Sequence, residues 1–252
     1  MSASTGFLRR RALALPAVLL LVVLSGCTTV VVGSPSAAEP AGPPPATSAG
    51  PTPAPTPAPG VVPLVIEPVV PGWNVVRSVN RAAAYDVPPT WTVRSESTII
   101  GFEDDAGNRV ASTGAATFGE DVCGDGDLAL AVVRHDEGTD LTAASTVLAE
   151  AWADLAYRDE ADARPTLTTG SPETITTVTG QQATVVEVTA ALNSPATTCG
   201  ITTGSVFAAA ATGFTGEFGP TVVLVVVAAV GVPGAAPESE IRQMLTTLRP
   251  AS

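Results

Sequence analysis

Two cysteines, Cys123 and Cys199, are the residues of this sequence best suited to covalent chemistry. Each is followed by a glycine in a loop-like stretch, and the sequence has no Cys-x-x-Cys motif. In an exported chain an even pair of this kind favours a disulfide. A metal or redox pair is the alternative, but one histidine cannot complete a good zinc site. We therefore predict a bond between Cys123 and Cys199.

The segment from Glu120 to Asp127 concentrates four carboxylates and two glycines around the first of these cysteines. Hard cations such as calcium prefer oxygen ligands of this type, and Asp121, Asp125 and Asp127 are the candidate ligands. The spacing does not match an EF-hand loop, which needs a bidentate glutamate at its twelfth position. We interpret the segment as a polar loop shaped by glycine, with calcium binding as the alternative.

Groups that could perform catalysis are few. His135 is the only histidine, and no Gly-x-Ser-x-Gly motif presents a serine to it. All 12 basic residues are arginines, which excludes lysine Schiff bases and the lysine of a P-loop. The 24 acidic residues give a net charge of −12, which opposes binding to nucleic acid. We expect no enzymatic activity, catalytic residue, cofactor or nucleic-acid partner, and we interpret His135 as a solvated residue at a strand end.

The N-terminus has the pattern of an export signal. Arg9, Arg10 and Arg11 precede an apolar run of about 13 residues, which is too short for a membrane span of roughly 20. The run ends in Leu24-Ser25-Gly26-Cys27, which resembles the lipobox of bacterial lipoproteins. That resemblance implies a signal peptide over residues 1–26 and a diacylglycerol on Cys27. An ordinary cleaved signal with a chance cysteine is the alternative.

The composition then changes to that of a tether. Residues 28–72 hold 13 of the 23 prolines, and such a segment cannot bury enough apolar surface to offset its ordering entropy. We predict that residues 27–72, from the lipidated cysteine onward, form a disordered spacer with polyproline II character. At about 3.1 Å per extended residue, it could reach on the order of 100 Å from a bilayer.

Residues 73–252 are long enough for one domain with its own core. Alternating or continuous apolar runs predict eight strands and two helices, in a single antiparallel-sheet domain of the α+β class. The run from Thr221 to Val230 is apolar on both faces, which predicts a central strand. The predicted strands cover residues 73–79, 91–102, 109–118, 128–134, 172–178, 182–192, 200–211 and 221–230.

Helical spacing predicts the two helices. The first has Asp140 as its N-cap and an apolar stripe that includes Trp152, and it ends near Ala163 ahead of Pro165. Asp159, Glu160 and Asp162 then lie at its outer end and serve solubility. The second begins at Pro237 and ends at Arg249, whose charge suits the helix dipole. Its buried face comprises Ile241, Met244, Leu245 and Leu248.

This order of elements carries a short motif, Tyr85-Asp86-Val87-Pro88, followed by Trp91 and by a closing helix that ends in Leu248-Arg249. In these respects residues 73–252 resemble the exported domains of actinobacterial lipoproteins of the mycobacterial LpqN type. The resemblance implies a PsbP/Mog1-like fold. It also implies a binding or accessory role at the cell envelope, without a catalytic motif to transfer.

We therefore expect a non-enzymatic module on the outer face of the cell membrane, attached through the lipid on Cys27. Its partner would be an envelope protein. A carrier of a lipid or small hydrophobic ligand is the second hypothesis, because strands rich in valine and alanine could line an apolar pocket. An envelope hydrolase ranks last.

Overall fold

The computed structural model of the chain describes residues 66–251, apart from residues 121, 124, 125, 160, 197, 198 and 216–218. The predicted signal peptide, Cys27 and most of the predicted tether lie outside these ranges, as do Asp121, Asp125 and Glu160. None of the helices in the described ranges is both long enough and apolar enough to cross a membrane.

The described chain is an α+β domain built from antiparallel strands and two α-helices, which confirms the predicted fold class. The helices are α1 (Leu141–Ala156) and α2 (Glu238–Thr246). A short 3₁₀ helix covers Val79–Arg81. The strands are β1 (Asn74–Ser78), β2 (Ala83–Val87), β3 (Thr92–Val93), β4 (Ile100–Glu103), β5 (Arg109–Phe118), β6 (Ala129–Asp136), β7 (Thr166–Thr169), β8 (Glu173–Thr176), β9 (Gln182–Ala196), β10 (Ile201–Thr212), β11 (Thr221–Ala229) and β12 (Arg249–Pro250).

The large sheet has the strand order β3-β5-β6-β11-β10-β9-β7, with β4 paired to β5 and β8 paired to β9. Strand β11 lies in the middle of this order, and all nine of its residues are buried. A strand covered on both faces has no solvent side to mark with polar residues. The prediction of a central strand from its continuous apolar run is therefore confirmed.

The two faces of the large sheet pack against different elements. On one face, Val223 and Val225 of β11 lie in a cluster with Ala144 and Trp152 of α1. On the other face, Leu224 of β11 packs with α2 and with a small sheet of order β1-β2-β12. This second cluster contains the predicted buried face of α2, whose four residues are at most 1% exposed: Ile241, Met244, Leu245 and Leu248.

The segment before β1 is held against the domain by one buried carboxylate. Oδ2 of Asp86 accepts hydrogen bonds from the backbone N–H of Val69 (2.6 Å) and Val70 (3.0 Å). Nη2 of Arg249 donates to the carbonyl of Glu67 at 3.1 Å. Contacts with the domain therefore begin at least six residues before Trp73, the predicted start.

Several predicted elements differ from the structure. The strand expected over 91–102 is interrupted by a turn in which the N–H of Thr98 donates to the carbonyl of Ser95 at 2.9 Å. The strand expected over 172–178 is present as β8, but three further strands, β2, β7 and β12, were not predicted. Arg249 lies in β12, beyond the last turn of α2, so its predicted role at the helix dipole was wrong.

Helix α1 ends seven residues before the predicted Ala163. Beyond it, the carboxylate of Asp159 accepts hydrogen bonds from the N–H groups of Ala161 (3.0 Å) and Ala163 (2.9 Å), which forms a turn. Asp162 pairs with Arg158 at 3.1 Å. Asp159 and Asp162 therefore organise the turn after α1, whereas they were predicted to lie at the outer end of the helix itself.

Candidate functional site

A disulfide joins Cys123 and Cys199, as predicted, with their Cα atoms 5.1 Å apart. It links the loop between β5 and β6 to the loop between β9 and β10. Cys123 is 3% exposed and packs with Leu128, Ile201 and Ala229. The bond therefore closes one end of the large sheet over a small apolar cluster.

The acidic segment around this disulfide is only partly described. Asp127 is exposed, whereas Asp121 and Asp125 lie outside the described residues. The described part of the chain contains no group of three or more His, Cys, Asp or Glu residues placed to hold a metal ion. Calcium binding, which would also require Asp121 and Asp125 as ligands, stays a prediction.

Glu120, at the start of the same segment, is engaged with neighbouring strands. Its Oε1 accepts a hydrogen bond from the Thr117 hydroxyl at 2.7 Å, and its Oε2 lies 2.9 Å from Nη2 of Arg94. The Thr117 hydroxyl, a second hydroxyl from Thr92 and the charge of Arg94 lower the pKa of this carboxyl. Glu120 therefore fastens the loop to the edge of the sheet as an anion.

An apolar pocket of about 330 Å³ opens beside the disulfide, between β4, the end of α1 and the adjoining ends of β6, β10 and β11. This volume is near the lower end of the range for small-molecule sites. The lining is apolar except for Asp127 and the Tyr157 hydroxyl, and it consists of Ile100, Phe102, Gly126, Asp127, Leu128, Ala129, Leu130, Ala156, Tyr157, Ile201, Val227 and Ala229.

Tyr157 forms one wall of this pocket and closes the end of α1. Its hydroxyl donates to the carbonyl of Ala228 at 2.7 Å, and burial raises the pKa of the phenol. Gly204 makes room for the ring, because a Cβ at that position would lie 2.0 Å from Cζ of Tyr157. The hydroxyl is thus a neutral, satisfied group, and the pocket can offer mainly apolar contact to a ligand.

A second cleft, of about 360 Å³, lies on the opposite face of the sheet beside α2. Here Oε1 of Glu187 accepts from the Ser205 hydroxyl at 3.1 Å, and Oε2 lies 3.2 Å from Nη2 of Arg242. The Arg242 guanidinium lies 5.5 Å from the ring centroid of Phe207. The sequence pattern shows one part of this network, the spacing of four between Glu238 and Arg242, whose side chains meet at 2.7 Å.

His135 lies at the end of β6, as predicted, but it is half-buried and not fully solvated. Burial is the main cause that lowers the pKa of its imidazole. Backbone hydrogen bonds with Thr221 and Gly219 act in the opposite direction. At neutral pH the ring is therefore an uncharged donor and acceptor.

A family model described as a domain of unknown function (DUF8017) matches residues 66–252. The match begins where the contacts of Glu67 and Val69 with the domain begin. No curated protein matches the chain.

Proposed function

Since the chain belongs to DUF8017, a family described as a domain of unknown function, we propose a function from its own residues. The protein is a non-enzymatic binding or accessory module at the outer face of the cell membrane. A lipid on Cys27 attaches it, and the part of the predicted tether that precedes Glu67 holds the domain away from the bilayer. Its resemblance to LpqN-type lipoproteins is part of this proposal.

The observation that carries the proposal is the bond between Cys123 and Cys199. Cytosolic reductants keep cysteine thiols reduced, so a structural disulfide is typical of a protein that folds outside the cytosol. The lipobox ending in Cys27 supplies an independent route to the same compartment. The disulfide and the lipobox are independent features, and both support export of the chain.

The tether would act by raising the local concentration of the domain near partners at the membrane. After removal of residues 1–26, 9 arginines remain against 24 acids, a net charge near −15 by subtraction. Such a chain is repelled by anionic head groups, so attachment depends on the acyl chains. The folded domain would then be free to meet an envelope protein.

Fractionation of cells that express the chain tests the attachment. Wild-type protein is expected in the membrane fraction, and Cys27→Ala protein is expected to lose that attachment because the thiol that receives the lipid is gone. Cys199→Ala is a matched control that removes a cysteine without touching the lipobox. Equal membrane retention of the wild type and Cys27→Ala would exclude the lipid anchor. Turnover of any substrate in a broad hydrolase panel would exclude the non-enzymatic role.

The pocket beside the disulfide supports the second candidate function, that of a carrier for a small hydrophobic ligand. Native mass spectrometry of protein taken from the envelope would detect a bound molecule directly. Ala156→Phe is expected to fill the pocket and remove that mass, because Ala156 lines it at the end of α1. Val147→Phe is the control, since Val147 is 62% exposed on the same helix. A wild-type spectrum without bound ligand would count against the carrier.

A further inference from the structure

A pocket of about 260 Å³ is lined by Arg81, Arg134, His135 and Glu137. Arg81 belongs to the 3₁₀ helix between β1 and β2, and the other three residues belong to the end of β6 and the turn after it. The chain carries twice as many acidic as basic residues. The two arginines of this pocket therefore carry a charge opposite to the net charge of the protein.

The backbone of β5 opens this part of the sheet. The pairing of β5 with β6 is regular as far as Ala116 and Ala131, then shifts, and its last pair is Thr113 with Val133. Gly114 lies within the shift at φ +63°, where a side chain would also meet Ser78. Beyond that point β5 pairs with β4 instead of β6.

Arg81 and Arg134 lie where β5 separates from β6, and both donate hydrogen bonds to uncharged oxygens of β5. Nη1 of Arg134 donates to the carbonyl of Ala111 at 2.7 Å, and Nη1 of Arg81 donates to the Thr113 hydroxyl. These bonds fix one nitrogen of each guanidinium and leave further donors. In the described part of the chain, the buried Nε of Arg81 and of Arg134 have no hydrogen-bond acceptor.

Among the residues that the structure describes, no carboxylate forms an ion pair with either arginine of this pocket. Within the described ranges, Arg77, Arg94, Arg158, Arg164, Arg242 and Arg249 each form an ion pair. Arg81, Arg109 and Arg134 form none there. Burial, and then the charge of Arg134, lower the pKa of the Arg81 guanidinium. Among the described residues that line the pocket, the exposed Glu137 is the one that is acidic.

We propose that this pocket binds the phosphate group of a small phosphorylated molecule. Guanidinium groups match phosphate geometry and bind it through charge-assisted hydrogen bonds. Two guanidiniums offer more donors than the two oxygens of a carboxylate can accept. A neighbouring cavity of about 360 Å³, whose wall also contains Arg81 together with Ile99 and Arg109, leaves room for the organic part. This site goes beyond the proposed function and does not depend on the lipid at Cys27.

Calorimetric titration of the full-length chain in a neutral detergent tests the site. The probes are inorganic phosphate, glycerol 3-phosphate and acetate, all at one fixed ionic strength. Wild-type protein is expected to bind both phosphate probes saturably. Arg81→Gln and Arg134→Gln are expected to weaken that binding about tenfold or more, because each removes a charged donor. Arg164→Gln is the control, with the same charge change on a side chain that is 70% exposed outside the pocket.

Further measurements distinguish a binding role of Arg134 from a structural role. Arg134→Lys retains the charge and is expected to bind more tightly than Arg134→Gln, whereas a merely structural role for Arg134 would make the two equal in binding. Circular dichroism of each variant shows whether it is folded. For a variant that does not fold, protection of wild-type Arg81 and Arg134 by phosphate against phenylglyoxal replaces the titration.

Binding to lipid vesicles distinguishes a free phosphorylated metabolite from a lipid head group as the ligand. Binding of glycerol 3-phosphate without binding to phosphatidylglycerol vesicles assigns the site to a free metabolite, which the net negative charge of the chain favours. Vesicle binding that Arg81→Gln removes assigns it to a lipid head group. Acetate binding as tight as phosphate binding overturns the phosphate assignment. Absence of saturable heat with every probe, or equal binding by wild type and both glutamine variants, overturns the site.

Discussion

Tyr157 and Gly204 show how a single pair of residues shapes this protein. The Tyr157 backbone leaves the helical conformation at φ −117°, and its ring covers Gly204 on β10. The hydroxyl then reaches the carbonyl of Ala228 on β11. One aromatic residue thus ends α1, joins two strands and forms a wall of the apolar pocket.

Gly204→Ala is expected to destabilise the domain by about 1–3 kcal/mol, because an added methyl group must displace a buried ring. The midpoint of urea denaturation measures the effect. Gly126→Ala is the control, since a Cβ at Gly126 meets no atom within 4 Å. An unchanged midpoint for Gly204→Ala would show that the ring moves without cost.

His135 makes stability depend on pH in a range where few other groups titrate. Burial is the largest cause that lowers the pKa of its imidazole from the usual 6.5, and the charges of Arg81 and Arg134 lower this pKa further. Backbone hydrogen bonds with Thr221 and Gly219 act in the opposite direction and raise the pKa. The folded state therefore resists protonation, while the unfolded state takes up the proton as the pH falls through about 6.5. Stability is expected to be fully present above that pH and to decline below it.

Urea denaturation at pH 7.5 and pH 5.5 measures this decline. His135→Gln removes the titrating group and is expected to lose less stability between the two pH values than the wild type. Because His135 is the only histidine in the sequence, no second imidazole contributes to the difference. A wild-type loss no larger than that of His135→Gln would contradict the assignment.

Strands β2 and β12 are joined by a buried ion pair. Oδ1 of Asp86 lies 2.8 Å from Nη2 of Arg249, and the two side chains are 0% and 6% exposed. The backbone N–H of Asp86 also donates to the Thr247 hydroxyl at 2.8 Å, at the end of α2. Since Asp86 holds Val69 and Val70 as well, this pair connects the start of the domain to its last strand.

Arg249→Met is expected to cost about 3–5 kcal/mol, because it leaves the Asp86 carboxylate buried without a counter-charge. Asp86→Asn is expected to cost a similar amount, and the double variant much less than the sum. Chemical denaturation of the two single variants and the double variant measures this coupling. Arg242→Met, which breaks partly exposed ion pairs, is the control at about 1 kcal/mol or less. Additive losses at Asp86 and Arg249 would show that the ion pair is not the source.

Across the domain, the disulfide connects loops at one end of a sheet that packs α1 on one face and α2 with the small sheet on the other. Cys123 and Cys199 are 76 positions apart in the chain. Cross-links that close long loops restrict the unfolded state most, so the bond stabilises the domain chiefly through that state.

The variant Cys123→Ser/Cys199→Ser is expected to lose stability, by up to about 4.5 kcal/mol in the chain-entropy estimate. Thermal unfolding of the full-length chain measures the loss, and a reductant should lower the melting temperature of the wild type in the same way. Cys27→Ser is the control, because Cys27 is not part of the bond. The same melting temperature with and without reductant would argue against a stabilising disulfide.

Local pattern was enough to predict the α+β class, the buried face of α2 and the central position of β11, whereas the pairing of Cys123 with Cys199 followed from the predicted export of the chain. Periodicity records which side of an element is buried, and it is readable from neighbours in the chain. The turn that interrupts 91–102 and the early end of α1 were not predicted. Both depend on hydrogen bonds and packing that compete with the local pattern.

The contacts that define the candidate sites arose from folding alone. Tyr157 meets Gly204, Asp86 meets Arg249, and Arg81 meets Arg134 only when distant strands are brought together by the sheet order. Single residues such as a tyrosine after a helix or an arginine beside a turn carry no local signal of their partners. Composition and spacing thus determined the fold class and gave the prediction of export. Packing between elements far apart in the chain determined the pockets, because a pocket is a property of surfaces that the chain brings together in space.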